Sequence, residues 1–328
     1  MDSSGVTYRA SGVSLECAYS LLGILERRGP VQNFASCVDL PGGLRLAFSA
    51  DGVGTKIELL RRHGMVKTAG WDCVAMNVND LLCVGSKAEW FLDYFSQGTL
   101  DKKVFSDVLS GINAALDAVG GRLIGGETAE LPGMLASRDL FELAGFAVGT
   151  VPKSLRHLGP KAVREGDILV GLPSSGPHAN GFSLIRKALT PKEIAGSVKE
   201  ILAPTALYHP QLKILFRDAV CARGVHAMAH ITGGGFQEKL PRALGADFAA
   251  VVHVGSWPVP EVFSLIQQRA RLDFQQMTGV LNMGIGFVLA VDPKVCRRLC
   301  HAIPGPVYLI GSVARRGKWP GLAGVALI

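Results

Sequence analysis

The alternation of apolar and polar positions divides the chain into short strands and amphipathic helices. "LRLAFSADGVGTK" is an apolar run that ends in a polar, glycine-rich turn, the form of a strand delivering a loop to a site. "AGWDCVAMNVNDLLCVG" repeats with helical spacing, with Trp71, Val74, Val78, Leu81 and Leu82 on one face. Asp72, Asn79 and Asp80 share the other face within an arc of about 100°, so that face should meet something polar. "WFLDYFSQG" reads as strand and turn, "VFSDVLSGINAALDAVG" as a helix ending at glycine, and "FELAGFAVGTV" as a strand.

Periodicity lapses over "VPKSLRHLGPKAVREG", which carries two prolines and marks a domain boundary. Beyond it, "GDILVGLPSSG" predicts a strand, "GFSLIRKAL" a helix, and "LAPTALYHPQLKILFRDA" a further helix. A loop, "HITGGGF", precedes a strand, helix and strand in "FAAVVHVG", "VFSLIQQRA" and "NMGIGFVLAV", and two more strands close the chain in "PVYLIGSVARR" and "LAGVALI". The pattern predicts an α+β protein of two comparably built domains, residues 1–152 and 153–328, each a mixed or antiparallel sheet carrying helices.

At 48% hydrophobic and 19% charged residues, the chain can bury two such cores and is not of disordered type. Seven cysteines without a CxxC pair fit reduced thiols and a cytoplasmic location, and Cys296 and Cys300 have helical spacing. The sequence does not open with a basic n-region followed by an apolar h-region and holds no apolar run of membrane-spanning length, so neither secretion nor membrane spanning is expected. A net charge of +7 suits an anionic ligand. The basic residues are scattered and lack interleaved aromatics, which argues against nucleic acid and for a small phosphorylated ligand.

Four glycine-rich segments recur: "DGVGTK", "IGGETAE", "LPSSGPHANG" and "ITGGGF". None is a P-loop, and each alone could be a plain turn. Asp51 can serve a nucleotide through a metal, and Lys56 can reach phosphate oxygens directly. Asp72 and Asp80 can add carboxylates to the same metals, and Glu127 and Thr128 stand in what reads as a turn after Gly125 and Gly126. His178 titrates near neutrality and can carry protons, and successive amides at Gly233, Gly234 and Gly235 after Thr232 suit a phosphate monoester.

"DGVGTK", "VAMNVNDLL", "FLDYF", "GGETAELPGM", "LAGFAVG", "SSGPHANGFSLIRK", "ILAPT", "AHITGGGF" and "NMGIG" together resemble phosphoribosylformylglycinamidine cyclo-ligase, also called aminoimidazole ribonucleotide synthetase. The resemblance runs nearly the whole chain, and the pairing of "GGETAELPGM" with "SSGPHANGFSLIRK" is its most specific part. It implies ATP- and Mg2+-dependent closure of formylglycinamidine ribonucleotide to aminoimidazole ribonucleotide in purine biosynthesis. It also implies a homodimer whose N-terminal sheets pair into a shared barrel.

By position, the resemblance assigns Mg-ATP to Asp51, Gly52, Gly54, Thr55, Asp72, Asn79, Asp80, Gly125, Gly126, Glu127 and Thr128, with Lys56 on the phosphates. The metal ligands among these are Asp51, Asp72, Asp80 and Glu127, and the catalytic pair is His178 and Lys56. Substrate falls to Ser175, His178 and Asn180, with the ribose phosphate at Thr232, Gly233, Gly234 and Gly235. Departures from the family's usual pattern stand at Ala10, Ser14, Asn33, Ala35, Ser36, Lys87 and Gly279. Two alternatives stay open, a superfamily member that phosphorylates another small acceptor and a nucleotide-binding scaffold without catalysis.

Overall fold

The computed structural model describes residues 34–318 and 324–328. The departures at Ala10, Ser14 and Asn33 lie outside the described residues. Two mixed sheets organise the molecule. The first contains β1 (Ser36–Leu40), β2 (Leu44–Gly52), β3 (Lys87–Gln97), β4 (Arg122–Glu130) and β5 (Phe141–Thr150), in the order β1-β2-β5-β3-β4. Only β3 and β4 are parallel neighbours in it. The second contains β6 (Ile168–Pro173), β7 (Val225–His230), β8 (Phe248–Val252), β9 (Ile285–Val291), β10 (Tyr308–Arg315) and β11 (Val325–Leu327), in the order β11-β8-β10-β6-β9-β7.

Helices α1 (Lys56–Arg62), α2 (Val66–Cys83) and α3 (Lys102–Val119) belong to the first half. Asp101 caps α3 by accepting from the Lys103 and Val104 amides, and Gly120 ends it in the left-handed conformation. Helices α2 and α3 touch backbone to backbone. A Cβ on Gly70 would lie 2.0 Å from the Val108 carbonyl oxygen, and one on Gly111 would lie 1.9 Å from that of Lys67. The second half adds α4 (Phe182–Ala188), α5 (Pro191–Gly196), α6 (Val198–Ile201), α7 (Ala219–Gly224), α8 (Gly235–Leu244), α9 (Glu261–Ala270), α10 (Phe274–Thr278) and α11 (Pro293–Ala302).

Two sequence expectations need correction. Glu127 and Thr128 are not in a turn but within β4, an edge strand whose residues from Gly125 to Glu130 run in register beside Leu92 to Gln97. "LAPTALYHPQLKILFRDA" is not one helix. Residues 203–208 have no regular secondary structure, a 3-10 turn covers Lys213–Phe216, and α7 begins at Ala219. Pro204 and Pro210 offer no amide for a helical ladder, and the amides and carbonyls of this stretch bond instead to side chains of α2.

That arrangement explains why α2 is buried on nearly every side. Its apolar face covers the first sheet, and its polar arc receives the 203–208 segment from the second half. The sheet's opposite face is open: Phe48 and Phe146 point the same way by register and are 39% and 47% exposed, with half-buried Leu46, Leu92, Tyr94 and Val148 around them.

Candidate functional site

The first sheet, α2 and the end of β7 converge on an acidic pair, Asp51 and Asp80. Asp51 stands one residue before the end of β2 and accepts the Gly52 amide at 2.8 Å. Burial, and then the nearby Asp80 charge, push Asp51 up to about 7; the Gly52 bond and the Lys239 ammonium only partly offset this. Asp80 lies one turn beyond Asn77, whose side-chain amide donates to the Asp51 carbonyl at 3.2 Å. Its own carboxylate accepts from His230 Nδ1 at 2.9 Å. Two carboxylates that repel each other at a half-open position suit a divalent cation.

Among the described residues no cluster of three or more His, Cys, Asp or Glu side chains forms a metal cage. Mg2+ is commonly held by only one or two carboxylates together with substrate phosphates, so a site for it need not contain such a cluster.

The other two assigned metal ligands stand elsewhere. Asp72 and Lys56 form an ion pair at 2.7 Å with no solvent exposure of either side chain. Lys56 Nζ also donates to the Ala203 carbonyl at 2.7 Å, Asp72 accepts the Thr205 amide at 2.7 Å, and Trp71 donates to the Thr205 carbonyl at 2.8 Å. Burial lowers the Lys56 pKa and raises that of Asp72, against their mutual attraction. The pair ties α1 and α2 to the 203–205 backbone, so in this structure both side chains, which the resemblance assigns to phosphate and metal, are engaged with each other and with that backbone.

Glu127 is separate for a different reason. Asp51, Gly145, Asp93 and Gly126 form one row across the sheet, so β4 lies three strands, about 14 Å, from Asp51. Gly126 faces the Asp93 carboxylate and Glu127 turns to the open face beside Tyr94, so this chain's Glu127 does not join the pair. Gly125 and Thr128 share that edge strand, and Asp93, a buried carboxylate in the same row, escaped the motif reading.

The second-half loops approach the pair from the other side. Thr55, after Gly52 and Gly54, lies 3.3 Å from Ser183, oxygen to oxygen. Asn180 reaches Met76 on α2, and its side-chain oxygen is 3.4 Å from where a Cβ on Gly233 would stand. Ser175 is exposed, and its hydroxyl donates to the Pro204 carbonyl at 2.5 Å.

Thr232 to Gly235 is the N-terminal turn of α8 rather than a hairpin, closed by the Gly235 amide on the Thr232 carbonyl at 2.8 Å. Gly234 and Gly235 have φ of 86° and 54°, and Gly235 passes too close to the Thr278 carbonyl to carry a Cβ. Glu238 lies against Gly234 and is paired with Lys239 and Arg242, which bring two cations to this turn.

His178 sits in an enclosed place. It is buried with φ of 62°, and its Nε2 faces the Ser175 and Ala206 amides at 3.3 and 3.5 Å, which leaves Nδ1 unpartnered. Burial above all holds its pKa well below 6.5, so the ring is neutral near pH 7. His209, its ring tilted against Phe216, is lowered to about 4 by burial and by Lys213 and Lys87.

Both rings resist protonation in the fold, whereas the unfolded chain takes up protons near pH 6.5, so stability falls as pH drops below that value. For His209 the window runs from about 6.5 to about 4. Urea midpoints measured from pH 7 to pH 4 should decline, and His209→Phe should flatten part of the decline. An unchanged slope in that variant would contradict the assignment.

A cavity of about 410 Å³ lies one turn beyond Asp80, lined by Phe34, Cys83, Arg156, Met228 and Ala243 among others, and its size is that of a small-molecule pocket. Of the departures, Ala35 is buried beside it, Ser36 begins β1, Lys87 is exposed 3.8 Å from Glu89, and Gly279 ends α10.

Known proteins resemble this chain in sequence along most of its length. Residues 33–151 match the family model "AIR synthase related protein, N-terminal domain", and residues 164–319 match the corresponding C-terminal domain. A phosphoribosylformylglycinamidine cyclo-ligase of Clostridium kluyveri is 39% identical over 95% of this chain and 98% of its own. The chain belongs to the phosphoribosylformylglycinamidine cyclo-ligase family.

A chloroplastic/mitochondrial cyclo-ligase of Vigna unguiculata is 38% identical over 90% of this chain and 78% of its own. Solved structures share the fold at lower identity. AaThiL complexed with AMPPCP and TMP has a TM-score of 0.68 at 15% identity, covering 96% of this chain and 95% of its own. HypE in complex with ATP has a TM-score of 0.62 at 17% identity, covering 94% and 90%. The α+β arrangement described above, with a mixed sheet and packed helices in each half, is thus shared with those structures.

Proposed function

We propose that this chain catalyses the ATP-dependent cyclisation of formylglycinamidine ribonucleotide to aminoimidazole ribonucleotide, with release of ADP and phosphate. The observation that carries the reading is full-length similarity to cyclo-ligases together with an acidic pair, Asp51 and Asp80, opposite a glycine turn at Thr232–Gly235. The γ-phosphoryl group passes to the substrate's amide oxygen, converting a poor leaving group into phosphate. An amidine nitrogen then attacks that carbon, the C–O bond to phosphate breaks, and loss of a proton leaves the imidazole ring.

Alignment and charge neutralisation supply most of the help such a transfer needs. Asp51 and Asp80 hold Mg2+, which neutralises phosphate charge when bound. The first-turn amides of α8, with Lys239 and Arg242, hold the ribose phosphate, and Asn180 and Ser175 line the substrate side. Substrate-dependent ADP release tests this reading; ADP release indifferent to formylglycinamidine ribonucleotide would contradict it.

We assign residues 1–152 to ATP binding and dimerisation and residues 153–328 to substrate binding, in a cytoplasmic homodimer. Phe48 and Phe146 on the open sheet face support pairing of two such sheets into a barrel. On this reading Glu127, which shares that face, meets the second copy. Phe146→Lys should convert a dimer to a monomer in sedimentation equilibrium, and a dimer that persists unchanged would oppose pairing through this face. Among the described residues no helix is long and apolar enough to cross a membrane, and six free cysteines support a reducing compartment.

A further inference from the structure

His230 ends β7, directly before the glycine turn, and its ring is completely buried. It was not among the residues singled out by motif, yet it joins the two halves of the protein at the acidic pair. Asn79, beside Asp80 on α2, fixes its protonation pattern. Asn79 Nδ2 donates to the Ala206 carbonyl at 2.8 Å, and Oδ1 accepts the Tyr208 amide at 3.1 Å, so the backbone determines which end of the side-chain amide is which. The nitrogen of that amide faces His230 Nε2 at 3.4 Å, which makes Nε2 an acceptor and places the ring hydrogen on Nδ1. Nδ1 then donates to Asp80 Oδ1 at 2.9 Å.

Tyr208, Phe287 and His178 surround the ring at centroid distances of 6.5, 6.3 and 6.4 Å and limit its rotation. One oxygen of Asp80 is therefore engaged from the second sheet, and the other is left for a cation.

We infer that His230 is a positioning residue which, from the C-terminal sheet, aims the Asp80 carboxylate of the N-terminal half at the metal and phosphate. This inference rests on the proposed role of Asp80 as a metal ligand. Partners of this kind orient ligating groups, and their loss commonly costs 10- to 100-fold in metal affinity. It also means that cation affinity depends on contact between the two halves, because the ring and the carboxylate belong to different sheets.

Two substitutions separate the ring nitrogens: His230→Asn places an amide nitrogen near Nδ1, and His230→Gln places one near Nε2. The readouts are the Mg2+ concentration giving half-maximal equilibrium binding of ATP and the thermal midpoint. His230→Gln should raise the Mg2+ requirement about 10- to 100-fold, while His230→Asn stays within about threefold of the parent and both melt alike. Equal Mg2+ requirements in the two variants would overturn the assignment. So would failure of both to fold, which would make His230 a residue of the fold alone. Asp80→Asn serves as the reference: if it leaves the requirement unchanged, the metal role of Asp80 itself fails, whereas a shift there with none in His230→Gln refutes only the positioning role.

Discussion

Exchanging Lys56 for methionine is expected to destabilise the protein by about 3–5 kcal/mol, because it strands the buried Asp72 charge without a partner. The ion pair has no solvent exposure, so water cannot take the place of the lost ammonium. The second substitution Asp72→Leu should recover most of the loss, short of the hydrogen bond from the Thr205 amide, worth about 1 kcal/mol. Urea denaturation of the two single variants and the double variant gives both numbers. Substrate-dependent ADP release by the folded Lys56→Met protein should remain within a few-fold of the parent. A stable Lys56→Met protein without turnover would return the lysine to the phosphates and refute the structural role of the pair.

The second large effect is expected at Asp80. Asp80→Asn should lower kcat by on the order of 10²- to 10³-fold, the scale on which a single preorganised electrostatic contact contributes. The substitution keeps the volume and an acceptor for His230 Nδ1, so a thermal midpoint within a few degrees of the parent should accompany the loss. A steady-state assay over a range of Mg2+ concentrations checks both the size of the effect and its relief by added metal. Turnover equal to the parent's would remove Asp80 from the metal.

The difference between these two aspartates shows how far the sequence can be read. Asp72 and Asp80 share one helical arc with Asn79, and periodicity correctly indicates that the arc meets polar groups. It cannot say which groups. Asp72 meets Lys56 and the 203–208 backbone, Asn79 meets the same segment two turns on, and Asp80 lies beyond it, near Asp51 and His230. Only the fold decides, because none of the partners is a local neighbour and those from the second half lie more than a hundred residues away.

The same limit applies to "LAPTALYHPQLKILFRDA", whose apolar spacing suggests a helix although its backbone is committed to α2. Strand and helix assignments over "WFLDYFSQG", "VFSDVLSGINAALDAVG" and "FELAGFAVGTV" hold because an N-cap, a terminal glycine and alternation act locally. His230 carried a signal in its place immediately before the glycine turn. Lys239, one turn into α8, had none, since nothing local distinguishes it from a surface lysine.

The most direct test of the proposed reaction is to supply the purified protein with Mg-ATP and formylglycinamidine ribonucleotide and to quantify ADP and aminoimidazole ribonucleotide together. Equimolar formation of the two, each dependent on the other substrate, is the expected result. ADP without the imidazole, or neither product from folded protein that binds ATP, would contradict the cyclo-ligase activity.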